Sequence, residues 1–343
     1  MRVDSIPGYV PLVAATRGGR IESVHSGALV VATADGATVA VVGDAGAAPF
    51  LRSSAKPFQV LPLLASGAAD RFGFTDREIA VAVASHHAEP QHLEAVGSML
   101  RKIGLDESAL ACGTHEPVSR ETALALRAAG REPTQLHCNC SGKHTGMLAV
   151  AVHHGQPTVG YHLREHAVQQ EMFDVMSEFA GIPAGGIPWG VDGCSLPTFS
   201  VPLAACAAAL ARLSEPRGIR AERAEAAARA IACVRRHPFL IGGTGSLDCE
   251  LVRDASVPLI AKLGAEGYFA MSWLQDGRGY GAALKIADGS MARARDAAVL
   301  AIVRRFDLVP RDRLAALEAA HLPPVRNNRR MDVGTIEILF TLQ

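Results

Sequence analysis

The sequence predicts an α/β fold in which strands from both ends of the chain form one mainly antiparallel sheet and helices from mid-chain form layers around it. Three observations lead to this prediction. β-rich segments lie near the start, at 21–43, and near the end, at 258–286 and 334–341. The chain between them has the apolar spacing of helices. This order excludes a doubly wound parallel sheet, in which strand and helix alternate throughout.

The first predicted element is a β-hairpin, with strands at 21–33 and 38–43 joined by the turn residues Ala34-Asp35-Gly36. After Arg52 the periodicity becomes helical. Thr75 and Glu78 have the spacing of a capping box and predict a helix that runs to about residue 84.

The remaining elements follow from the same periodicities. Helices are predicted at 91–103, 120–129, 142–153, 165–180, 202–213 and 222–235. Strands are predicted at 258–262, 268–274 and 279–286, followed by a helix at about 291–304 and a closing strand at 334–341.

Composition excludes several classes of partner. Lys and Arg together number 34 and Asp and Glu together number 34, so the net charge is zero and no field favours nucleic acid or an anionic membrane. No stretch is long and apolar enough for a membrane span, and residues 1–5 do not begin an apolar leader. Seven cysteines without a leader are typical of reduced thiols. We therefore expect a cytoplasmic protein without nucleic-acid or membrane partners.

The first chemical motif is the segment Arg52-Ser53-Ser54-Ala55-Lys56-Pro57-Phe58. Ser53 and Lys56 are three residues apart and share one face of a helical turn, so the amine is a candidate base for the hydroxyl. A Ser N-cap followed by a solvated Lys explains most such matches equally well. Pro57 fits only the first turn of a helix, which predicts a helix start at or just after Ser53.

The second motif places two thiols, an amine and an imidazole within seven residues, at Cys138, Cys140, Lys143 and His144. Thiolate and imidazole are the usual ligands of zinc, although the spacing is not that of a zinc finger. A further thiol would have to come from elsewhere, and Cys194, which follows an Asp-Gly turn, is the best candidate. The alternative is that these cysteines are small core residues.

Two weaker patterns are set aside. Lys143-His144-Thr145-Gly146 looks like the K-T-G box of penicillin-recognising enzymes with one residue inserted, but it opens a predicted helix instead of lying on a strand. The glycine-rich segment 242–246 lacks the strand-turn-helix setting of a nucleotide site.

Taken together, the segments resemble the asparaginase II family, the Rhizobium-type, thermolabile bacterial L-asparaginases. The likeness extends from Val10 to Leu342 and is consistent with a single domain over 1–343. Six segments match in one order: Arg52-Ser53-Ser54-Ala55-Lys56-Pro57, Ala84-Ser85-His86, His137-Cys138-Asn139-Cys140-Ser141-Gly142-Lys143-His144, Val191-Asp192-Gly193-Cys194, Gly242-Gly243-Thr244-Gly245 and Lys262-Leu263-Gly264-Ala265-Glu266-Gly267.

The resemblance implies hydrolysis of the side-chain amide of L-asparagine to L-aspartate and ammonia. It also implies a fold similar to serine β-lactamases and glutaminases, and a homodimer. Two Ser-Lys pairs map onto Ser53 with Lys56 and Ser85 with Lys262, with Lys262 chosen over Lys285 from its sequence context. A metal, usually zinc, maps onto three further positions: Cys140, Lys143 and Cys194.

Chemically, two lysines crowded into one pocket repel each other as cations, so at least one should be neutral and act as a base. We expect Ser53 to attack the amide with Lys56 as its base. A charged group must hold each end of the substrate, and Arg52 is the candidate for the α-carboxylate and Asp192 for the α-amine. His87, beside Ser85, is a further candidate to line the site.

Two other functions are consistent with these residues. A glutaminase or a β-lactamase-like acyl hydrolase would use the same Ser-x-x-Lys motif, and asparagine differs from glutamine by one methylene. A non-enzymatic zinc-dependent binding protein would use the cysteines for structure alone. Ammonia release from asparagine, which such a binding protein would not show, distinguishes it from an L-asparaginase.

Overall fold

The computed structural model describes residues 8–342, and these form a mixed α/β structure with an antiparallel main sheet. The strands are β1 Val10–Arg17, β2 Arg20–Thr33, β3 Thr38–Val42, β4 Trp189–Val191, β5 Pro197–Phe199, β6 Leu259–Leu263, β7 Tyr268–Gln275, β8 Arg278–Ile286, β9 Val325–Arg326, β10 Asp332–Gly334 and β11 Ile336–Ile338.

The helices occupy mainly the middle of the chain. They are α1 Lys56–Gln59, α2 Leu61–Ala65, α3 Ala68–Arg71, α4 Asp76–Ala82, α5 Pro90–Lys102, α6 Arg120–Ala128, α7 Ser141–His153, α8 Ala167–Ala180, α9 Leu203–Ser214, α10 Ala221–Arg236, α11 Leu247–Asp254, α12 Asp296–Arg305 and α13 Arg311–His321.

The main sheet joins the two ends of the chain. Its order is β11-β1-β2-β8-β7-β6, with β3 also paired to β2, and β1 meets β11 with Val13 opposite Ile338. The predicted pairing of terminal strands is therefore confirmed. The hairpin of β2 and β3 is also confirmed, with Val31 opposite Ala40.

Close packing divides the chain into two compact units. The first contains 1–54, 201–217 and 254–343, and the second contains 55–200 and 218–253. In the first unit α9 packs on β2, β7 and β8. A Cβ at Gly281 of β8 would lie 2.1 Å from the Ala207 carbonyl oxygen, so only glycine allows this close approach. The prediction of a single domain over 1–343 stays a prediction.

The second unit is helical around α7, whose residues from Ser141 to Ala151 are all buried. Its later part, 146–151, is apolar on every side, and such a helix is stable only inside a protein, which explains its central place. Its first turn lies directly against α4, because a Cβ at Gly142 would stand 2.3 Å from the Val81 carbonyl oxygen. Thr75 and Glu78 form the predicted capping box at the start of α4.

The structure differs from the predictions mainly where prolines and short elements occur. The helical segment begins with a 3₁₀ turn at Arg52–Ala55 and then divides into α1 and α2, each with a proline in its first turn, because proline has no N–H for a continuous helix. The expected closing strand is split into β10 and β11. The short hairpin of β4 and β5 was not predicted.

Within residues 8–342, every helix is too short or too polar to cross a membrane. Residues 1–5, on which the expectation of no leader rests, lie outside the described residues.

Candidate active site

The first unit contributes the serines of the Arg52–Ala55 turn and the lysine of β6. Ser54 is fully buried, and its Oγ donates a hydrogen bond to the Lys262 carbonyl oxygen at 2.9 Å. A Cβ at Gly264 would stand 2.8 Å from Ser54 Oγ and 2.9 Å from the Leu51 carbonyl oxygen. The glycine after Lys262-Leu263 is therefore explained by packing, since it lets the serine turn lie against β6.

The two neighbouring serines have different surroundings. Ser54 is fixed against β6, whereas Ser53 is half-buried. Arg52 adopts a left-handed backbone with φ of 52°, which a residue with a side chain adopts at a cost. Of the two serines, Ser53 is thus the more exposed residue.

A second cation of the first unit lies near Arg52. Lys285, on β8, donates a hydrogen bond to the Glu266 carbonyl oxygen. Burial lowers the pKa of Lys285, and the positive charge of Arg52 adds to this effect. Lys285 is half-buried while Lys262 is fully buried, so the two lysines differ in their access to solvent.

The second unit brings together Lys56 and Ser85. Lys56 is fully buried at the start of α1, and its Nζ lies 2.9 Å from Ser85 Oγ. The same amine donates to the Ala84 carbonyl oxygen. Lys56 therefore contacts a hydroxyl that it can deprotonate when it is neutral.

The segment that carries Ser85 is held between two loops, with alternate backbone N–H groups bonded to opposite sides. Ser85 N donates to the Ile241 carbonyl oxygen at 2.9 Å and His87 N to that of Gly242 at 2.7 Å. His86 N donates in the other direction, to the Asn139 carbonyl oxygen at 3.1 Å. This strand-like bonding fixes the backbone at Ser85 without a regular element.

The glycine-rich loop at 242–246 binds an internal carboxylate. Glu89 accepts hydrogen bonds from Thr244 N at 2.7 Å and from Thr244 Oγ1 at 2.9 Å. A Cβ at Gly243 would stand 2.5 Å from Glu89 Oε1, and His87 Nδ1 lies 3.9 Å from the same oxygen. The loop therefore positions Glu89 and His87. Its Thr244 amide donates to the Glu89 carboxylate of the same chain.

Three predicted ligand residues of the second unit also lie together. Lys143 Nζ lies 3.3 Å from Cys194 Sγ, and the Cys140 and Cys194 thiols are near enough to shift each other's pKa. All three side chains are buried. Cys140 is the N-cap of α7 and Cys194 lies in the turn of the β4–β5 hairpin, so two distant segments supply them.

Electrostatics places the negative charge of this group on Cys140. Hydrogen bonds from the Cys138 and Cys194 thiols hold the pKa of Cys140 well below its ordinary value. The bond to Cys140, together with burial, raises the pKa of Cys194 well above its ordinary value. Burial disfavours the charge of Lys143, but the neighbouring sulfurs of Cys194 and Cys140 outweigh it and raise the pKa of Lys143.

The chemistry of these donors fits a zinc ion, which takes thiolate and nitrogen ligands. Among residues 8–342, three or more His, Cys, Asp or Glu side chains are nowhere arranged to hold a metal ion. A metal at Cys140 and Cys194 would therefore need the neutral amine of Lys143 as its third protein donor. Binding would displace the protons of Lys143 and Cys194.

His144 lies one residue further along α7 and is fully buried. Its Nδ1 is 2.6 Å from the Tyr161 hydroxyl, which also accepts from Ala111 N at 3.0 Å. Burial and the charge of Lys143 lower the pKa of His144 to about 3, so the imidazole is neutral. It therefore adds no charge beside the thiols.

The predicted site residues thus lie in two sets, one in each unit. The first unit holds Arg52, Ser53 and Lys262, and the second holds Lys56, Ser85, His87, Cys140, Lys143, Asp192 and Cys194. Within the second, Lys56 meets Ser85, and Lys143 meets Cys194. Asp192 lies near enough to Lys143 to raise its pKa.

Three supporting residues had no role predicted from the sequence. Glu89, His86 and Ser141 each make hydrogen bonds that are buried or that hold a loop in place. The only sequence signal for them is position, since Glu89 and His86 flank His87 and Ser141 follows Cys140.

Comparison with solved structures finds distant likenesses to the protein Mglu. Its native form is 15% identical, with a TM-score of 0.36 over 82% of this chain and 65% of Mglu. Its L-glutamate binding form in 4.3 M NaCl is 16% identical, with a TM-score of 0.36 over 82% of this chain and 60% of Mglu. The chain thus spans less than two thirds of these two structures, and we draw no conclusion from likenesses at this level.

No curated protein matches the sequence. The protein-family comparison does give a match, to L-asparaginase II, and it covers residues 13–338 of the 343. This range includes every residue of the two sets described above. The chain therefore belongs to the L-asparaginase II family.

Proposed function

We propose that this protein is an L-asparagine amidohydrolase that releases L-aspartate and ammonia through an acyl-enzyme. Membership of the L-asparaginase II family supports an amidohydrolase. The observation that carries this proposal is the buried amine of Lys56, 2.9 Å from the Ser85 hydroxyl, because it supplies a base in contact with a group that can relay its proton. In the proposed mechanism this base serves Ser53.

In the first half of the reaction Ser53 Oγ attacks the side-chain amide carbon of asparagine while Lys56 takes the hydroxyl proton. The half-buried position of Ser53, compared with the packed position of Ser54, supports this choice of nucleophile. A backbone N–H near Ser53 would stabilise the developing oxyanion. Collapse of the tetrahedral intermediate breaks the C–N bond and leaves an ester on Ser53.

The leaving nitrogen needs one proton to depart as ammonia. Ser85 and Lys262 would relay that proton, and the contact of Ser85 with Lys56 supports a path that begins at the Lys56 amine. Water then attacks the ester and gives a proton to Lys56, which passes it to Ser53 Oγ as the ester bond breaks and aspartate leaves, so that the enzyme ends in its starting protonation state.

Charged groups would hold the α-substituents of the substrate. Arg52 would bind the α-carboxylate and Asp192 the α-amine, with His87 lining the site. His87 lies against Glu89 and Gly243, and these contacts support the proposal that its position is fixed. Asparagine and glutamine differ by one methylene, so the shape of the pocket would determine discrimination against glutamine.

Zinc would be held by Cys140, Lys143 and Cys194. When bound, the ion would supply an electropositive point with an open position that orients substrate through a water molecule. Lys56 and Ser85 already provide the base and a hydroxyl, so we assign the metal to positioning. The same family likeness suggests a fold similar to serine β-lactamases and glutaminases, a homodimer and a cytoplasmic location.

The test is an ammonia-release assay on the purified protein and three serine variants, with asparagine, glutamine and β-aspartyl peptides as substrates. Ser53→Ala should lower kcat with asparagine more than about a thousandfold. Ser54→Ala is the matched control, because it removes an adjacent hydroxyl that only bonds the Lys262 backbone.

Asparaginase activity of Ser53→Ala within about tenfold of the parent would reject Ser53 as nucleophile and transfer that role to Ser85. Preference for glutamine would identify a glutaminase. A protein that releases no ammonia from any of the three substrates would be a zinc-dependent binding protein or an acyl hydrolase of another class, and the proposal would be wrong.

A further inference from the structure

The side chain of His86 is fully buried and makes two hydrogen bonds in opposite directions. Its Nε2 lies 2.8 Å from Ser141 Oγ, and its Nδ1 accepts from Ala88 N at 3.1 Å. Ser141 Oγ in turn donates to the Leu136 carbonyl oxygen at 3.0 Å. No step of the proposed mechanism uses His86, yet it is bonded on both ring nitrogens.

These contacts determine the tautomer. A backbone N–H only donates, so Nδ1 of His86 must be the acceptor and the ring proton must be on Nε2. Nε2–H then donates to Ser141 Oγ, whose own hydrogen is used by Leu136. Burial, with a smaller contribution from His92, lowers the pKa of His86 well below its ordinary value, so the ring keeps this one neutral form.

The bonded groups join two segments that carry proposed functional residues. His86 follows Ser85, and Ser141 follows Cys140 and begins α7. The backbone bond from His86 N to the Asn139 carbonyl oxygen reinforces the same link. Ala88 has a left-handed backbone with φ of 62°, and the bond to His86 Nδ1 holds its N–H in that conformation.

We propose that His86 is a positioning residue: through Ser141 it fixes the Ala84–Ala88 segment so that Ser85 Oγ and the Ala84 carbonyl oxygen stay against Lys56 Nζ. This inference rests on the proposed function for its kinetic consequence. Its geometric consequence, the position of Ser85 beside Lys56, is independent of the reaction.

The test uses two substitutions of His86 and one of its partner. His86→Asn keeps an acceptor near the Nδ1 position and loses the donor at Nε2, whereas His86→Gln reaches far enough to keep a donor there. We expect His86→Asn to lower kcat for asparagine about a hundredfold with KM within about threefold, because a displaced catalytic group costs turnover more than affinity. His86→Gln should recover part of that loss.

Ser141→Ala removes the acceptor and keeps the histidine. If His86 acts through this bond, Ser141→Ala should lower kcat similarly, and the double variant should be little worse than either single one. His92→Asn is the matched control, since His92 is equally buried and stacks on His86 at 5.3 Å but bonds only the Phe239 carbonyl oxygen through its ring. It should lower stability and leave kcat within about threefold.

Crystal structures of the parent and of His86→Asn, or of Ser141→Ala if His86→Asn does not fold, separate this inference from the proposed function. We expect the Lys56 Nζ to Ser85 Oγ contact to lengthen in the variant. An unchanged contact, or kinetic losses that multiply in the double variant, would overturn the positioning role. A parent protein without amidohydrolase activity would overturn the proposed function alone, and the crystallographic comparison would still decide the role of His86.

Discussion

Two buried lysines of the second unit have opposite surroundings. Lys56 and Lys143 are 0% and 3% exposed. Lys56 Nζ contacts the Ala84 carbonyl oxygen and the Ser85 hydroxyl, which carry no formal charge. Lys143 Nζ lies 3.3 Å from the Cys194 thiol, next to the Cys140 thiol, whose pKa is held low. Lys56 therefore hydrogen-bonds to neutral oxygens and Lys143 to a thiol, while the charges of both lysines lower the pKa of Cys140.

The difference separates a candidate base from a candidate ligand. An amine beside a thiolate keeps its proton, and the raised pKa of Lys143 expresses this. Such an amine is a poor proton acceptor at neutral pH, but it becomes a metal ligand once a cation replaces its proton. Lys56, whose amine contacts the Ser85 hydroxyl, is therefore the better placed of the two to exchange a proton with an alcohol.

The largest expected effect comes from removing the Lys56 amine. Lys56→Met replaces the lysine with an apolar side chain of similar length in a buried position, which limits the loss of packing. We expect kcat for asparagine to fall by about a thousandfold, the usual cost of a missing general base. Circular dichroism and thermal unfolding check that the variant is folded.

Lys143→Met is the comparison variant for this experiment, because it removes an equally buried amine from the thiol group. Its expected loss of kcat is at least tenfold smaller than that of Lys56→Met. Equal losses in the two variants would contradict the division into base and ligand.

A smaller effect is expected from the thiol that carries the negative charge. Cys140→Ser should reduce zinc bound per chain, measured by elemental analysis, and lower asparaginase activity about 10- to 100-fold. Cys206→Ser is the control, since Cys206 is a buried thiol whose pKa burial raises to about 12 and which is hydrogen-bonded to Tyr268. Metal-free parent protein with normal affinity for asparagine would show that the ion has no positioning role.

The two regions were not equally predictable from the sequence. The Ser-x-x-Lys spacing indicates Ser53 and Lys56 because helical periodicity alone puts them on one face. Ser85 enters only through the resemblance, since its contact with Lys56 joins positions 29 residues apart. The cysteines at 138 and 140 stand out as a local motif. The position of Cys194 beside them depends on the β4–β5 hairpin, which no periodicity in the sequence predicted.

The fold shows the same limit. Most of the longer helices and strands were predicted within a few residues, because burial on one face leaves a periodic pattern, but β1, α11 and α13 were not predicted. Single residues interrupt the periodic pattern in two places, the closing strand and the short helices around Pro57 and Pro62. The pattern therefore did not predict how these elements are divided. The supporting bonds of His86 and Glu89 leave no pattern at all, because each partner lies in a distant segment.

A third lysine, Lys102, lies outside the candidate site and can be compared with Lys56 and Lys143. Changing its partner has the smallest expected effect of the substitutions discussed. Lys102 Nζ lies 2.6 Å from Glu78, which also accepts from Thr75 N at 2.6 Å in the capping box of α4. Burial raises the pKa of Glu78, but the bonds from Lys102 and Thr75 outweigh it and leave that pKa below its ordinary value. Here a carboxylate meets a lysine without reactive chemistry.

Because the folded pKa of Glu78 is lowered, its ionised form adds stability at neutral pH, and this contribution is lost as the pH falls from about 4.3 through the folded pKa. Glu78→Gln should therefore lower the free energy of unfolding at pH 7 by about 1 kcal/mol, a typical value for a lost cap. Near pH 3 the difference between variant and parent should shrink. Urea unfolding at both pH values measures it.

Glu94→Gln is the matched control, because Glu94 is 75% exposed and lies 3.9 Å from an exposed Arg77. An exposed pair adds little, so its change should stay within about 0.5 kcal/mol at both pH values. A pH-independent loss in Glu78→Gln would mean that the carboxylate acts by shape and not by charge. In that case the Lys102–Glu78 contact would not act as an ion pair, and it could not serve as the charged pair with which the surroundings of Lys56 and Lys143 are compared.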